Sequence, residues 1–184
     1  METYSRIITG FLLINFTYLA YISQLFFINY ISILFYLGVK ELSQYDYNNK
    51  VIAMMTELTL TLCICISNLE EHKTIMTIFL YNSISDIIQY FVGRYFGRVK
   101  LFSFTSKTLE GYIAGLCLTH FFFYHLPPTF ILLNFVGMFG GVMSSITKRE
   151  LNIKHWSTIL GKHGGVNDRI DSIVLPILVY YYIL

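Results

Sequence analysis

Long apolar runs separated by short polar segments make up most of the chain and predict membrane-spanning helices. A spanning helix needs about 20 predominantly apolar residues. The candidate runs cover residues 7–22, 24–39, 51–68, 74–93, 110–126, 128–147 and 171–184. The pattern therefore predicts an all-α fold, a polytopic transmembrane bundle of about seven spans.

The first two runs are separated only by the polar step at Ser23 and Gln24. A single long, tilted helix over residues 7–39 is therefore an alternative to two spans. The last run, which begins at Asp171, is short for a spanning helix.

Composition supports a membrane environment. Hydrophobic residues make up 55% of the chain and charged residues only 13%, whereas about 25% of residues are charged in a soluble domain. The apolar side chains must therefore face lipid as well as one another. The net charge of +2 and the lack of a basic tract interleaved with aromatics argue against a nucleic-acid partner.

Positively charged residues are distributed unevenly between the polar segments. Twelve of the 13 Lys and Arg residues lie in segments 1–6, 40–50, 94–109 and 148–170, and only Lys73 lies outside them. Alternating spans place these segments on one side of the membrane. Because cytoplasmic loops carry an excess of Lys and Arg, we expect an integral, multi-pass protein with the large basic loops on the cytoplasmic face.

Small residues recur four positions apart in the second half of the chain, a spacing that lets helix backbones approach closely in lipid. They are Gly93 and Gly97, Gly111 and Gly115, and the series Gly137, Gly141 and Ser145. We expect a tightly packed core within residues 86–171. The chain would then divide into peripheral spans, residues 1–73, and a membrane core, residues 74–184, that carries loops 94–109 and 148–170.

Asp86 lies within a predominantly apolar run. A carboxylate at such depth costs about 2.5–3.5 kcal/mol on insertion scales. One interpretation is a side chain near the cytoplasmic end of its span that snorkels or pairs with a neighbouring Arg. The other is a metal or phosphate site at the membrane face.

The last polar segment combines several groups that suit phosphate chemistry. Hydroxyls precede cations in residues 144–149, and Gly161–Gly165 predicts a flexible turn whose amides can approach phosphate oxygens. Asn167 is a candidate N-cap, and Asp168 and Asp171 would share a face of the following helix. Paired carboxylates beside Lys and Arg suit a divalent cation that bridges phosphates. On spacing alone, a solvated loop with a capped helix is the simpler interpretation.

Two blocks of the sequence together resemble a known family. The first block is Ser145-x2-Lys148-Arg149-x4-Lys154-x5-Leu160-Gly161-x-His163-Gly164-Gly165-x2-Asp168-Arg169-Ile170-Asp171; the second is Asp86-x3-Tyr90-x2-Gly93-x3-Gly97-Arg98 with Lys107-Thr108-x-Glu110-Gly111. The first block closely resembles the signature of phosphatidate cytidylyltransferases, also called CDP-diacylglycerol synthases, and the second is similar to another conserved region of that family. The resemblance covers roughly residues 82–175.

The resemblance implies transfer of a cytidylyl group from CTP to phosphatidic acid in the lipid bilayer, with release of pyrophosphate. It implies Mg²⁺, with a second cation as an option, bound by Asp86, Asp168 and Asp171. Catalytic roles fall on Lys107, Lys148, Arg149, Asp168 and Asp171, and substrate binding on Arg98, Glu110, Ser145, His163, Gly164, Gly165 and Arg169. A homodimer is the family's habit and is expected on that ground.

The chain departs from the family pattern at several positions. Gly141 stands where bacterial members usually carry a metal-site Asp, so the sequence is nearer the eukaryotic type. The other departures are His155 for Asp, Ser106 for Lys, Thr105 for Pro and Leu109 for Trp. The chain is also shorter than typical members, and we expect spans before the core to be missing.

Three alternatives remain open at this point. A related enzyme could use CTP with another lipid phosphate or with a lipid alcohol, as a CDP-archaeol synthase or a polyprenol kinase does. A decayed, non-catalytic homologue and a small channel or transporter are the others. The end of the first block is complete, with His163-Gly164-Gly165, Asp168-Arg169 and Asp171 all present, and this favours cytidylyl transfer. No paired repeats support transport.

Overall fold

The computed structural model describes residues 15–45, 48–101, 107–159 and 164–183. Its helices are α1 (residues 15–22), α2 (Gln24–Leu42), α3 (Asn49–Ser67), α4 (His72–Tyr95), α5 (Leu109–Phe122), α6 (Thr129–Glu150), α7 (Asn167–Ile170) and α8 (Val174–Tyr182). A short 3-10 turn, Leu69–Glu71, leads into α4. One isolated bridge joins Lys100 to Thr108, and the described ranges contain no longer strand. The all-α prediction is confirmed.

Helix lengths and hydropathy fit a membrane bundle. Within the described ranges, the helices long and apolar enough to cross a bilayer are Gln24–Leu42, Asn49–Ser67, Leu69–Tyr95 and Thr129–Glu150. Helix α5 has 14 residues and α8 has 9, fewer than the roughly 20 of a straight span. The chain is thus an integral membrane protein, and the count of seven spans stays a prediction.

The polar step at Ser23 interrupts the first apolar stretch. Ser23 has an extended backbone, with φ −126° and ψ 126°, and α2 begins at the next residue. Over residues 15–42 the chain therefore forms two helical segments instead of the single helix that was the alternative.

The chain folds as two compact units. The first contains Met1–Met76 and Ile153–Ile170, and the second contains Thr77–Asn152 and Asp171–Leu184. The predicted division at residue 73 lies close to this boundary, but residues 153–170 belong with the N-terminal helices. Which part is peripheral and which is catalytic stays a prediction.

In the first unit, α2 packs against α3. Asn48 starts α3 by accepting hydrogen bonds from Lys50 N and Val51 N, as an N-cap does. Phe27, Leu42, Val51 and Leu58 lie in the buried interior of this unit. Near the end of α2, a Cβ on Gly38 would lie 3.2 Å from Asn167 Oδ1, so the helix backbone approaches α7 closely.

In the second unit, glycines allow close helix contacts, as their spacing predicted. A Cβ on Gly111 of α5 would lie 2.7 Å from Gln89 O of α4, and one on Gly115 would lie 2.6 Å from the Gln89 side chain. Gly137 of α6 is similarly tight against Ser172 O, beside α8. The Gly93 and Gly97 pair was assigned wrongly to one helix, because α4 ends at Tyr95 and the Thr108 side chain occupies the space beside Gly97.

Candidate functional site

Asp86 of α4 is paired on both carboxylate oxygens. Lys107 Nζ, two residues before α5, lies 3.2 Å from Asp86 Oδ1, and Ser172 Oγ donates to Asp86 Oδ2 at 2.6 Å. Lys107 also donates to Gln89 Oε1 at 3.4 Å, one turn further along α4. The carboxylate that the sequence placed in an apolar run is therefore neutralised by a lysine. The partner is not the neighbouring Arg that one interpretation expected.

A second ion pair lies at the end of α6. Lys148 Nζ is 3.7 Å from Asp171 Oδ2, and the two side chains are only 11% and 13% exposed. The Ser144 hydroxyl, one turn before Lys148, hydrogen-bonds the same Asp171 carboxyl. Helix α6 thus directs a hydroxyl and an ammonium at one buried carboxylate.

The two ion pairs act on each other electrostatically. Burial raises the pKa of Asp171, Lys148 and Lys107 oppose that shift, and the negative charge of Asp86 adds to it. Burial tends to lower the pKa of Lys107, but Asp86, Tyr112 and Asp171 outweigh it and the pKa rises. We call Asp86, Lys107, Lys148 and Asp171 the lysine–aspartate cluster.

Two further residues shape the surroundings of Lys107. Its Nζ lies 5.4 Å from the ring centroid of Tyr112, within cation–π range. A Cβ on Gly141 would lie 3.6 Å from the same Nζ, an ordinary contact distance. The position where bacterial family members are expected to carry Asp therefore adjoins Lys107, and a side chain there would meet the ammonium.

In the first unit, Asp168 organises the loop before α7. Its Oδ2 accepts hydrogen bonds from Trp156 N at 3.2 Å and Gly165 N at 2.9 Å, and His155 Nδ1 lies 3.4 Å away. Gly164 adopts a φ of 85°, and a Cβ there would lie 2.7 Å from Asp168 Oδ2. A glycine is thus required at this turn. The amide of Gly165, which was expected to approach phosphate, already binds this carboxylate.

The start of α7 differs from the prediction. Asn167 is the first residue of the helix, and its side-chain amide donates to Gly38 O at 2.8 Å and Glu41 Oε2 at 3.1 Å. Glu41 instead accepts from the backbone amides at the helix start, which is the role predicted for Asn167. Helix α7 ends at Ile170, so Asp168 and Asp171 do not share a helix face.

The remaining predicted site residues differ in exposure and in hydrogen bonding. Arg98, Arg149 and Arg169 are exposed side chains. Glu110 accepts hydrogen bonds from Val99 N at 3.1 and 3.3 Å. Ser145 Oγ donates to Gly141 O at 2.8 Å within α6. His163 lies outside the described residues.

In each unit, some residues that contact the predicted ones were not themselves predicted from the sequence. They are Glu41, Gln89, Tyr112, Trp156 and Ser172. Ser172 directly follows Asp171 in the sequence, so an inspection of the residues next to each predicted charge would have found it. Glu41 follows Lys40 at a helix end, where acidic residues are common, so the sequence carries no signal for it.

Metal-binding capacity can be judged from the donor atoms. In the described part of the chain, no group of three or more His, Cys, Asp and Glu residues is arranged to hold a metal ion. The predicted set of Asp86, Asp168 and Asp171 stays a prediction. Within the second unit, Asp86 and Asp171 offer carboxylate oxygens, and each carboxylate is hydrogen-bonded by a serine hydroxyl. Oxygen ligands of this kind suit Mg²⁺, which binds through one or two carboxylates and retains waters or phosphates.

Comparison with known proteins gives a consistent result. Residues 69–184 match the family model described as "Cytidylyltransferase family". This region contains the lysine–aspartate cluster and both sequence blocks that carry the resemblance.

Several relatives bear the name phosphatidate cytidylyltransferase. The protein of Aquifex aeolicus is 36% identical over 111 residues, which is 55% of this chain and 43% of the relative. That of Chlamydia trachomatis is 34% identical over 120 residues, 54% and 39% of the two chains. That of Staphylococcus haemolyticus is 35% identical over 121 residues, 56% and 46%. The matches span less than half the length of each relative. The eukaryotic-type variant stays a prediction.

Proposed function

The chain belongs to the cytidylyltransferase family, and on that premise we propose that it transfers a cytidylyl group from CTP to phosphatidic acid. The products are CDP-diacylglycerol and pyrophosphate. The observation that carries the proposal is the lysine–aspartate cluster, which lies within the matched region of an integral membrane protein. The relatives named above support the choice of phosphatidic acid as the lipid.

The chemistry needs positioning and charge neutralisation more than covalent help. A phosphate oxygen of phosphatidic acid attacks the α-phosphorus of CTP, and the bond from that phosphorus to the bridging β-phosphate oxygen breaks. Pyrophosphate departs with the bonding electrons. The acceptor, the triphosphate and the leaving group are all anionic, so cations must hold them together.

Lys107 and Lys148 suit this task. An ammonium has three N–H donors, and among the described residues Asp86 and Gln89 take two of those on Lys107. The third can reach a phosphate oxygen. Lys148 lies 3.7 Å from Asp171 Oδ2, so a substrate phosphate can compete for its donors. We also assign Arg149 and Arg169, which are exposed, to phosphate binding.

Asp86 and Asp171 are the residues that we assign to Mg²⁺. When bound, the cation neutralises the charge that develops on the triphosphate. The carboxylates are held ready by Ser172 and Ser144. A role for Asp168 in metal binding remains a sequence-based prediction, because Asp168 Oδ2 already accepts hydrogen bonds from two backbone amides. A second cation is likewise a sequence-based prediction.

We further propose that the basic loops face the cytoplasm. Twelve of the 13 Lys and Arg residues fall in segments that alternate spans would place on one side. A reporter fused after Leu184 should then lie on the opposite side of the membrane from the N-terminus. Both ends on one side would contradict seven spans. The homodimer stays a prediction.

The activity is tested with the purified chain in detergent, CTP, Mg²⁺ and phosphatidic acid. Wild-type protein should form CDP-diacylglycerol, and Asp171→Asn should reduce the rate by at least roughly a hundredfold, the loss expected when a charge-stabilising group is removed. Glu57→Gln, which changes a half-buried carboxylate of α3, is the matched control and should retain activity. Absence of product with phosphatidic acid and with every other lipid phosphate supplied would refute the proposal.

A further inference from the structure

Glu41 is fully buried near the C-terminal end of α2. Its Oε1 accepts hydrogen bonds from Ser157 Oγ at 2.6 Å and Val166 N at 2.7 Å. Its Oε2 accepts from Asn167 N at 2.9 Å and Asn167 Nδ2 at 3.1 Å. The two oxygens therefore accept from four donors, all within residues 153–159 and 164–170, which we call the signature loop.

The fit between Glu41 and the signature loop is close. A Cβ on Gly165 would lie 2.7 and 2.8 Å from the two carboxylate oxygens, so only glycine allows this approach. Asn167 Nδ2 also donates to Gly38 O, one turn earlier in α2. Helix α2 thus holds the loop at Gly38 and at Glu41.

A second carboxylate holds the loop from within. Asp168 Oδ2 accepts from Trp156 N and Gly165 N. The backbone amides of Gly165, Val166 and Asn167 are therefore all bound by carboxylates, the first by Asp168 and the others by Glu41. The conformation of the Gly164–Gly165 turn depends on both acids.

The stability of the fold alone does not explain why a carboxylate is buried at position 41. Removing a carboxylate from water costs several kcal/mol, and a well-packed apolar side chain of similar size is often at least as stabilising. Charge-assisted hydrogen bonds offset the cost and fix the geometry of their donors. Glu41 also lies outside residues 69–184, the region that matches the family.

We infer that Glu41 is a positioning residue that sets the signature loop for CTP. The inference rests on the proposed function and adds to it a residue from the N-terminal helices. Glu41 is fully buried and does not itself contact the substrate. It acts by holding the amides of Val166 and Asn167. These residues lie between the Gly164–Gly165 turn and Arg169, to which the resemblance to the family gives a role in substrate binding.

The experiment compares Glu41→Gln with Glu57→Gln in the full chain. Whichever way the substituted side-chain amide is turned, its NH2 group faces two loop donors that had an acceptor in the wild type. We expect the KM for CTP to rise on the order of 10–100-fold, as for loss of partners that orient a binding group. The KM for phosphatidic acid and all constants of Glu57→Gln should stay near the wild-type values.

Hydrogen exchange gives a readout that is independent of turnover. The amides of Val166 and Asn167 should exchange faster in Glu41→Gln than in the wild type. In Glu57→Gln their exchange rates should equal those of the wild type. A merely structural role would lower the amount of folded protein and kcat without a selective rise in the KM for CTP. That result, or unchanged exchange at residues 164–168, would overturn the inference.

Ser157→Ala covers the case in which Glu41→Gln does not fold. It removes one donor to Glu41 Oε1 and should raise the KM for CTP several-fold. If wild-type protein makes CDP-diacylglycerol while Ser157→Ala and any folded Glu41→Gln keep the wild-type KM for CTP, only the inference about Glu41 fails. If the wild type makes no product, the proposed function fails and the inference falls with it.

Discussion

Lys148 Nζ and Asp171 Oδ2 form an ion pair of 3.7 Å whose side chains are 11% and 13% exposed. Burying two charges costs several kcal/mol each, and removal of one partner leaves the other without compensation. A pair of this kind adds little net stability. Under the proposed function, this pair would instead supply a cation and a carboxylate to the reaction.

Neutralising one member of this pair should cost more stability than neutralising both. We expect Lys148→Met to lower the free energy of unfolding by about 3–5 kcal/mol, because Asp171 is left buried and unpaired. The double variant Lys148→Met with Asp171→Asn should recover much of that loss and remain inactive. Thermal unfolding in detergent and CTP turnover measure the two effects. If the double variant loses as much free energy of unfolding as the two single variants added together, the pairing is contradicted.

The pH dependence of stability and of activity should have opposite signs at Asp171. Burial raises the pKa of Asp171 above its ordinary value of 3.8. Between the unfolded and the folded pKa, the folded protein therefore holds a proton that the unfolded chain has released. The stability from this group is full below the ordinary value and is lost as pH rises through the folded pKa. Turnover needs the ionised carboxylate and should fall reversibly on acidification in that window. The Tm–pH profile of Asp171→Asn should lack this contribution, and an unchanged profile would refute it.

Two neighbouring glycines of α6 should respond differently to alanine. A Cβ on Gly140 would lie 2.6 Å from Asp171 O, whereas one on Gly141 would lie 3.6 Å from Lys107 Nζ. Gly140→Ala should therefore cost about 1–3 kcal/mol of stability through overpacking and displace Asp171. Gly141→Ala should have little effect on the Tm. Equal effects of the two variants on the Tm and on turnover would show that α6 faces its neighbours differently.

Ser172 should be needed for the orientation of Asp86. Its hydroxyl donates to Asp86 Oδ2 at 2.6 Å and is buried. Loss of a hydrogen bond to a charged group costs about 1.5–3 kcal/mol, so Ser172→Ala should lower kcat/KM by at least roughly tenfold. Ser67→Ala is the control, because Ser67 is exposed and its hydroxyl bonds back to Cys63 O within α3. A wild-type rate for Ser172→Ala would remove Ser172 from the account.

The sequence predicted much of the helical structure, because apolar runs and small-residue spacing are local patterns. The glycines at positions 111, 115 and 137 do make close contacts. Asp86, Lys107, Lys148 and Asp171 were each chosen as site residues, and the second unit brings them together in two ion pairs. Their exact partners followed from helix packing and could not be read from spacing.

The signature loop shows what local patterns miss. The contacts of Glu41 with Val166 and Asn167 join residues 125 and 126 positions apart. No periodicity connects them, and Lys40 beside Glu41 suggests an ordinary helix end. The cap of α7 was predicted wrongly for the same reason, because the helix start depends on Glu41 in place of a residue within the loop.

The most direct test of the account follows the phosphorus atoms of CTP. The purified chain is given phosphatidic acid, Mg²⁺ and CTP that is radiolabelled at either the α- or the γ-phosphorus. Cytidylyl transfer predicts that the α-label enters the lipid and the γ-label leaves in pyrophosphate. A γ-label in the lipid would indicate a kinase, and a lipid that gains neither label would contradict the proposed reaction.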